Sequence, residues 1–435
     1  MYARLSGARL PCMGELTDQI VAQATVAPTA AALKIMRISV MDWLACGIAG
    51  WHEPVVGIVA GMLDVDGGQA QATCFDGKRR SGRAAALLNG TASHALDYDD
   101  THFMHIGHVS VGVLPAALAM AELESCTIDS FISAGLAGSE GAIRMGVALG
   151  RDHYQIGFHQ TATSGAFGAT LAASLLATTD KTAQAHALGI ASTRAAGLKS
   201  QFGTMGKPYN AGLAAQTGVE ATLLAVRGMV SNPNGWDGPQ GVIATQHGSG
   251  ETLPDGFLMP AISHKFHACC HGLHATLEAI QDVLPLDPTS IDHITISTHP
   301  RWMSVCNKPD PKTGLEAKFS YKAVVAFAVL GHSTAALKTF DDDLLKNRDV
   351  HEMMDRVTVT ADENLTEMQA KVTIWNRTEH AASHILDAVS VIAVREKRVL
   401  AKAAALIGEA QTTAIWETLT KSGHRPISDL TQHLR

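Results

Sequence analysis

Residues 290–298 run Ser290, Ile291, Asp292, His293, Ile294, Thr295, Ile296, Ser297, Thr298, and the fold turns on how they are read. Ile291, His293, Thr295 and Ser297 alternate with Asp292, Ile294 and Ile296, the period of two expected of a strand with one buried face. Two more short strands are expected at 357–361 and 371–375, with helices between at 320–330 and 342–355. Together these predict a smaller α/β domain over 269–395.

Outward from that stretch the texture is helical. In 28–50, Leu33, Ile35, Met36, Val40, Trp43 and Leu44 recur at spacings of three and four, and Gly47 and Gly50 suit a helix end. Glu53-Pro54 opens a second apolar stretch reaching Leu63. Further helices are expected at 81–88, 113–123, 130–149, 165–176, 182–198 and 211–226. Many carry Ala or Gly on the inner face, which lets helix axes approach closely. Residues 230–256 are rich in turn formers, and no fixed-period repeat is evident. After the α/β stretch, 396–421 is helical again (Leu400, Ala404, Leu406, Ile407, Ile415, Leu419) and is expected to rejoin the first domain. The predicted fold is mainly α. A large all-helical domain, 13–268 with 396–435, carries the smaller α/β domain inserted before the C-terminal helices.

The chain has 435 residues, 46% hydrophobic and 17% charged, which excludes disorder as its main state. Its 34 Lys+Arg against 41 Asp+Glu give a net charge of −7 without long runs, so no nucleic-acid or anionic-membrane partner is expected. Residues 101–121 lack formal charge, but His102, His105, His108 and Pro115 make them a poor lipid-facing span. Seven cysteines are scattered at 12, 46, 74, 126, 269, 270 and 306; the odd, sparse set argues against a disulfide scaffold and for a reducing, cytoplasmic setting. No apolar signal core is visible in 1–14. Residues 1–12 read as a tail whose deletion should leave the melting temperature unchanged.

The densest polar cluster holds Asp97, Asp99, Asp100, Thr101, His102, His105 and His108, ahead of an apolar helix entered near Pro115. Taken alone, it reads as metal ligands, as an acid/base pair with a carboxylate orienting an imidazole, or as helix caps and exposed loop histidines. His159 precedes a Gly/Ala-rich helix, where free N–H groups suit a carboxylate, though a plain capping segment fits too. Lys207 sits in a loop before a helix without charge until Glu220, placing it as an anion ligand or as solvated surface. His264, Lys265, His267, His271 and His274 cluster with Cys269 and Cys270 but fit no familiar zinc spacing. Gly248-Ser-Gly-Glu lacks both the dinucleotide fingerprint and the phosphate-loop lysine.

The run Asn89-Gly-Thr-Ala-Ser-His-Ala-Leu-Asp-Tyr-Asp-Asp-Thr-His102, followed by His108-x-Ser110 and Val113-Leu-Pro-Ala-Ala117, resembles the signature of the 2-methylcitrate dehydratase (MmgE/PrpD) family. Supporting matches are Met41-Asp42, Glu140-x-x-x-Arg144, Phe158-His159, Lys207 with Gly212, the segment from His264 to His274 and, weakly, Ala317-Lys-Phe-Ser-Tyr321. The resemblance spans most of 30–330. It implies a dimer of two-domain chains, acting without metal or organic cofactor on small di- or tricarboxylates. Known members dehydrate 2-methylcitrate, decarboxylate cis-aconitate or epimerise iminodisuccinate. By the same resemblance Asp97, Thr101, His108, His159 and Lys207 fall on active-site positions. The sequence departs from the family at Val109, where Pro is usual, and in His264-Lys265-Phe266-His267, where the lysine is displaced by one or replaced by His264. A family tyrosine falls on Ala323, with Tyr321 nearby.

The function expected is proton transfer next to a carboxylate of a small polycarboxylate. His108, His159 and Asp97 are the catalytic candidates, and Thr101, Lys207, His264, Lys265 and Arg144 the substrate-binding ones. A lyase of dehydratase or decarboxylase type leads, with an epimerase next. A metal-dependent hydrolase built on Asp97 to His108, and a non-catalytic carboxylate binder, are the alternatives from other classes.

Overall fold

The computed structural model describes residues 13–252, 255–376, 378–386, 391–421 and 423–434; the expectation for 1–12 lies outside them. The chain divides into two units, one running through His264 and resuming at Val391, the other beginning at Lys265. The division thus falls at 264/265 and 390/391, rather than at 268/269 and 395/396.

Nine helices make the frame of the first unit: α1 (Glu15–Ala24), α2 (Ala30–Gly50), α3 (Pro54–Asp66), α4 (Gly82–Ala95), α5 (Ser110–Leu123), α6 (Ile128–Ile156), α7 (Gln160–Ala177), α8 (Lys181–Ser192) and α9 (Gly206–Val226). Caps set several starts: Thr29 accepts from the Ala32 N–H, Ser81 from Ala84, and Asp180 from Thr182. The unit is not wholly helical. A ribbon of β1 (Ala72–Thr73) and β2 (Arg79–Arg80) turns at Gly77, which has φ 74°. Helices Ile392–Ile407 and Glu409–Thr420, parted by Gly408 at φ 86°, also belong to the unit, the first packing on α2.

Small residues bring the inner helices into backbone contact. A Cβ on Gly90 of α4 would lie 2.8 Å from Gly212 Cα of α9, and one on Gly212 would lie 2.4 Å from the Leu87 carbonyl. The two helices run antiparallel, so the end of α4 meets the first turn of α9. A Cβ on Gly112 of α5 would come within 3.0 Å of the Thr161 carbonyl in α7. Those helices start side by side. The Ala/Gly composition therefore gathers the end of α4 and the starts of α5, α7 and α9 in one place.

The second unit is α/β. Its sheet has the order β4 (Val357–Ala361), β3 (His293–Thr298), β5 (Gln369–Trp375), β6 (Glu379–Ile385), with β3 parallel to β4 and the other pairs antiparallel. Ile294, Ile296 and Thr298 of β3 are buried alongside Ala370, Val372 and Ile374 of β5, the one-faced burial that the alternation implied. Helices His274–Gln281, Tyr321–Val329 and Arg348–Asp355 accompany the sheet; Ser320 and Asn347 cap the last two. The protein is therefore mainly α, with a small α/β unit that interrupts the helical one in sequence. No helix among the described residues is long and apolar enough to cross a membrane.

Candidate active site

The gathered helix ends hold a buried cluster of charge. α4 ends at Ala95, and Asp97 follows in the left-handed region at φ 53°. That reversal turns the short Asp97–Asp100 run back on the helix end. Asp99 then accepts from His94 Nδ1, at 3.0 and 3.1 Å to its two oxygens. Its Oδ2 also lies 2.7 Å from His108 Nδ1. One carboxylate thus fixes two imidazoles. The next residue, Asp100, accepts from Ser110 N–H at 3.1 Å and Ser110 Oγ at 2.5 Å, anchoring the start of α5.

The segment between these anchors is strained. Ile106, a β-branched residue, sits at φ 57°. It is held by an Ile106 N–H bond to the His102 carbonyl and a His102 N–H bond to the Gly107 carbonyl, both 2.9 Å. His108 donates its own N–H to Thr161 Oγ1 at 2.9 Å, tying it to the first turn of α7.

His159 occupies the N-cap of α7 without capping it through its side chain. Its Nδ1 accepts from Asn210 Nδ2 at 3.3 Å, leaving Nε2 to carry the proton of the neutral ring. Its ring stacks at 6.0 Å on His94 and meets Phe202 edge-on at 4.9 Å. Lys207 was expected in a loop, but α9 begins at Gly206 and puts it in the first turn. A cation there opposes the helix dipole. Asp97 offsets this, with Lys207 Nζ 2.6 Å from its Oδ1, while His108 Nε2 is 3.3 Å from the same oxygen.

Burial would raise the Asp99 pKa, but the His108 and His94 imidazoles outweigh it and hold the carboxyl well below the usual range. Burial pulls His94 down to about 4 against the pull of Asp99. His159 is driven well below its ordinary value by burial, then by His94 and Lys207. At neutral pH the cluster therefore sets two neutral imidazoles beside an ammonium and ionised carboxylate, an arrangement that can pass protons in a dry place.

His94, Asp97, Asp99 and His108 each offer one atom within 4.8 Å of the others, a set able to surround a cation. The Lys207 ammonium, 2.6 Å from Asp97, already brings a positive charge to one member of that set. Both Nδ1 atoms also lie close to Asp99, at 3.0 Å for His94 and 2.7 Å for His108.

Of the residues singled out in the sequence, Asp97, His108, His159 and Lys207 come together here. Thr101 pairs with Ser263 through its backbone, N–H to carbonyl at 2.9 and 2.8 Å in the two directions. His264 Nε2 is 2.9 Å from Ser39 Oγ on α2. Arg144 is engaged elsewhere: its Nε lies 3.5 Å from Glu140 Oε2, and it donates to Gln23 Oε1 at 2.8 Å and to the Gly256 carbonyl. Arg144 therefore lies on α6 with its guanidinium held by Glu140, Gln23 and Gly256, and it is not among the residues gathered around Asp97. Lys265 opens the second unit, where its charge adds to the effects that depress His274. The sequence reading passed over His94, Asn210 and Phe202. The signal for His94 was its place in the quoted run, five residues before Asp99.

A buried cluster of imidazoles and carboxylates beside Lys207, where helix ends meet in the first unit, is the candidate site of this mainly α protein. Residues 14–252 match the MmgE/PrpD N-terminal domain and residues 267–403 the MmgE/PrpD C-terminal domain. The chain belongs to the MmgE/PrpD family. It is 28% identical over 355 residues to the cis-aconitate decarboxylase-like protein oryM of Aspergillus oryzae, covering 73% of each chain. It is 27% identical over 356 residues to a cis-aconitate decarboxylase of Aspergillus terreus, covering 72% of this chain and 71% of that one. The human cis-aconitate decarboxylase is 28% identical over 227 residues, 51% of this chain and 44% of the relative.

Proposed function

We propose that this chain is a lyase acting on a small di- or tricarboxylate, moving protons beside a substrate carboxylate without metal or organic cofactor. The observation that carries the reading is the Lys207–Asp97 contact at 2.6 Å, set among His94, His108 and His159. A substrate carboxylate takes over Lys207, and the ammonium then holds the negative charge that develops next to it. His108, fixed at Nδ1 by Asp99, exchanges a proton through Nε2. His159 handles the second proton.

Decarboxylation of a cis-aconitate-like acid is the favoured reaction, supported by the names of the relatives. The C–C bond to one carboxylate breaks, its electrons pass into the carbon framework, and a proton from the cluster is added there. Dehydration uses the same parts differently, with a base taking a carbon-bound proton and an acid protonating the leaving hydroxide. The reading includes a homodimer in the cytoplasm.

The test is NMR in D2O with cis-aconitate, 2-methylcitrate and an iminodisuccinate-like acid, together with measurement of released CO2. Loss of CO2 with one deuterium gained by the product is the expected result. Loss of water from 2-methylcitrate makes the enzyme a dehydratase. Deuterium exchange into an iminodisuccinate-like acid without loss of either makes it an epimerase. Binding without turnover, or activity abolished by a chelator, overturns the reading.

A further inference from the structure

Lys402 lies in the Ala-rich helix Ile392–Ile407, the element that follows the second unit in sequence, and its side chain is buried. Its ammonium donates to Asp42 Oδ1 on α2 at 2.6 Å and to the Tyr98 carbonyl at 2.6 Å. It also lies 4.0 Å from the centre of the Tyr98 ring. Burial would pull the Lys402 pKa down, but Asp42 outweighs it, so the group stays charged.

Asp42 alone would satisfy a structural ion pair. The second acceptor carries the argument. Tyr98 is the residue between Asp97 and Asp99, the first holding Lys207 and the second fixing His94 and His108. Asp97 is left-handed at φ 53°, and that reversal gives the peptide after it no regular secondary structure to lock its orientation. A charged donor on the Tyr98 carbonyl fixes the peptide that joins Tyr98 to Asp99. Rotation of that peptide would swing the Asp99 carboxylate away from two imidazoles at once.

We propose that Lys402 is a positioning residue of the active site, which through the Tyr98 carbonyl sets the relative placement of the Asp97 and Asp99 carboxylates. This rests on the cluster being the reacting site, but its geometric part does not require turnover. The helix that follows the α/β unit thereby becomes part of the machinery carried by α4 and α5.

The experiment compares Lys402→Met and Lys402→Arg with the parent. The readings are the ring-nitrogen and ring-proton NMR signals of His94 and His108, together with kcat and KM on whichever acid is turned over. Methionine removes both bonds; arginine keeps the charge and the tie to Asp42, so it folds, but its longer planar head displaces the Tyr98 carbonyl. Both should move the His94 and His108 signals and lower kcat by about tenfold or more with KM little changed. Asp42→Asn removes one acceptor and leaves the Tyr98 bond. It should lower the melting temperature and leave the ring signals in place. Unmoved ring signals in the arginine variant, or Asp42→Asn shifting them as far as the Lys402 variants do, overturn the proposal. If no acid is turned over by the parent, the proposed function fails, and the ring signals still decide the role of Lys402.

Discussion

His102 offers a direct test of what holds the strained loop that delivers His108. Its Nε2 donates to the Leu258 carbonyl at 3.2 Å and its Nδ1 accepts from the His105 N–H at 3.4 Å, so the neutral ring is used at both ends. Protonation at Nδ1 would turn that acceptor into a donor facing another donor. Burial accordingly pulls the pKa down to about 4 from 6.5. An unfolded chain takes up this proton near pH 6.5 and the folded one only near pH 4. The stabilising contribution of the neutral ring is therefore complete above pH 6.5 and shrinks as pH falls toward 4. Between pH 7 and 5 it should lose about 2 kcal/mol by this linkage.

The slope of the parent is a sum over groups. Asp42, pushed up to about 7 by burial, gains a proton in the folded state over the same range and works in the opposite direction. The difference between the parent and His102→Gln cancels that shared contribution, because the glutamine amide can donate to Leu258 but does not titrate here. Urea unfolding of both proteins at pH 7, 6 and 5 measures it. The variant should be the less stable protein at pH 7, and the gap should close by about 2 kcal/mol at pH 5. A gap that stays constant across the range would refute the argument that a buried neutral His102 supports the loop.

Three further outcomes are expected. Lys207→Ala should weaken substrate binding by roughly 1.5–3 kcal/mol, read as a higher KM, since it removes a charge-assisted contact. His159→Asn should lower kcat by about 10²–10⁴ with KM little changed, and near-normal turnover would pass its role to His108. Gly138→Ala would set a Cβ 2.5 Å from the Gly168 carbonyl where α6 meets α7. It should cost about 1–3 kcal/mol as a fall in melting temperature, because two backbones and not a flexible side chain must move.

Much of the fold was legible because its signals are local. The alternation at 290–298 marked β3, seen as His293–Thr298, and the strand at 357–361 appears as Val357–Ala361. β6 (Glu379–Ile385) was passed over: its run Glu-His-Ala-Ala-Ser-His-Ile has one β-branched residue, at its last position, and among the described residues it pairs with β5 alone, at the sheet edge. Helix starts were set too late for a related reason. α7 begins at Gln160 rather than 165, although Thr161, Thr163 and Ser164 are weak helix formers, and all three are buried in its first turns. α9 begins at Gly206, and Gly206 with Pro208 had looked like a loop. Pro is tolerated in a first helical turn, where its missing N–H costs nothing.

Those late starts hid the nature of the site. The sequence places His159 just ahead of a helix and Lys207 in a loop, whereas His159 is the N-cap residue of α7 and Lys207 lies in the first turn of α9. A buried charge can be noticed in a sequence as an oddity in an apolar run, as Asp42 is in α2 and Lys402 in its Ala-rich helix. Its partner cannot, since electrostatic pairing depends on distance in space and not on spacing along the chain. Lys402 finds the Tyr98 carbonyl 304 positions away. The cluster around Asp97 carries its own local signature, but what holds it in shape is supplied by a helix at the other end of the chain.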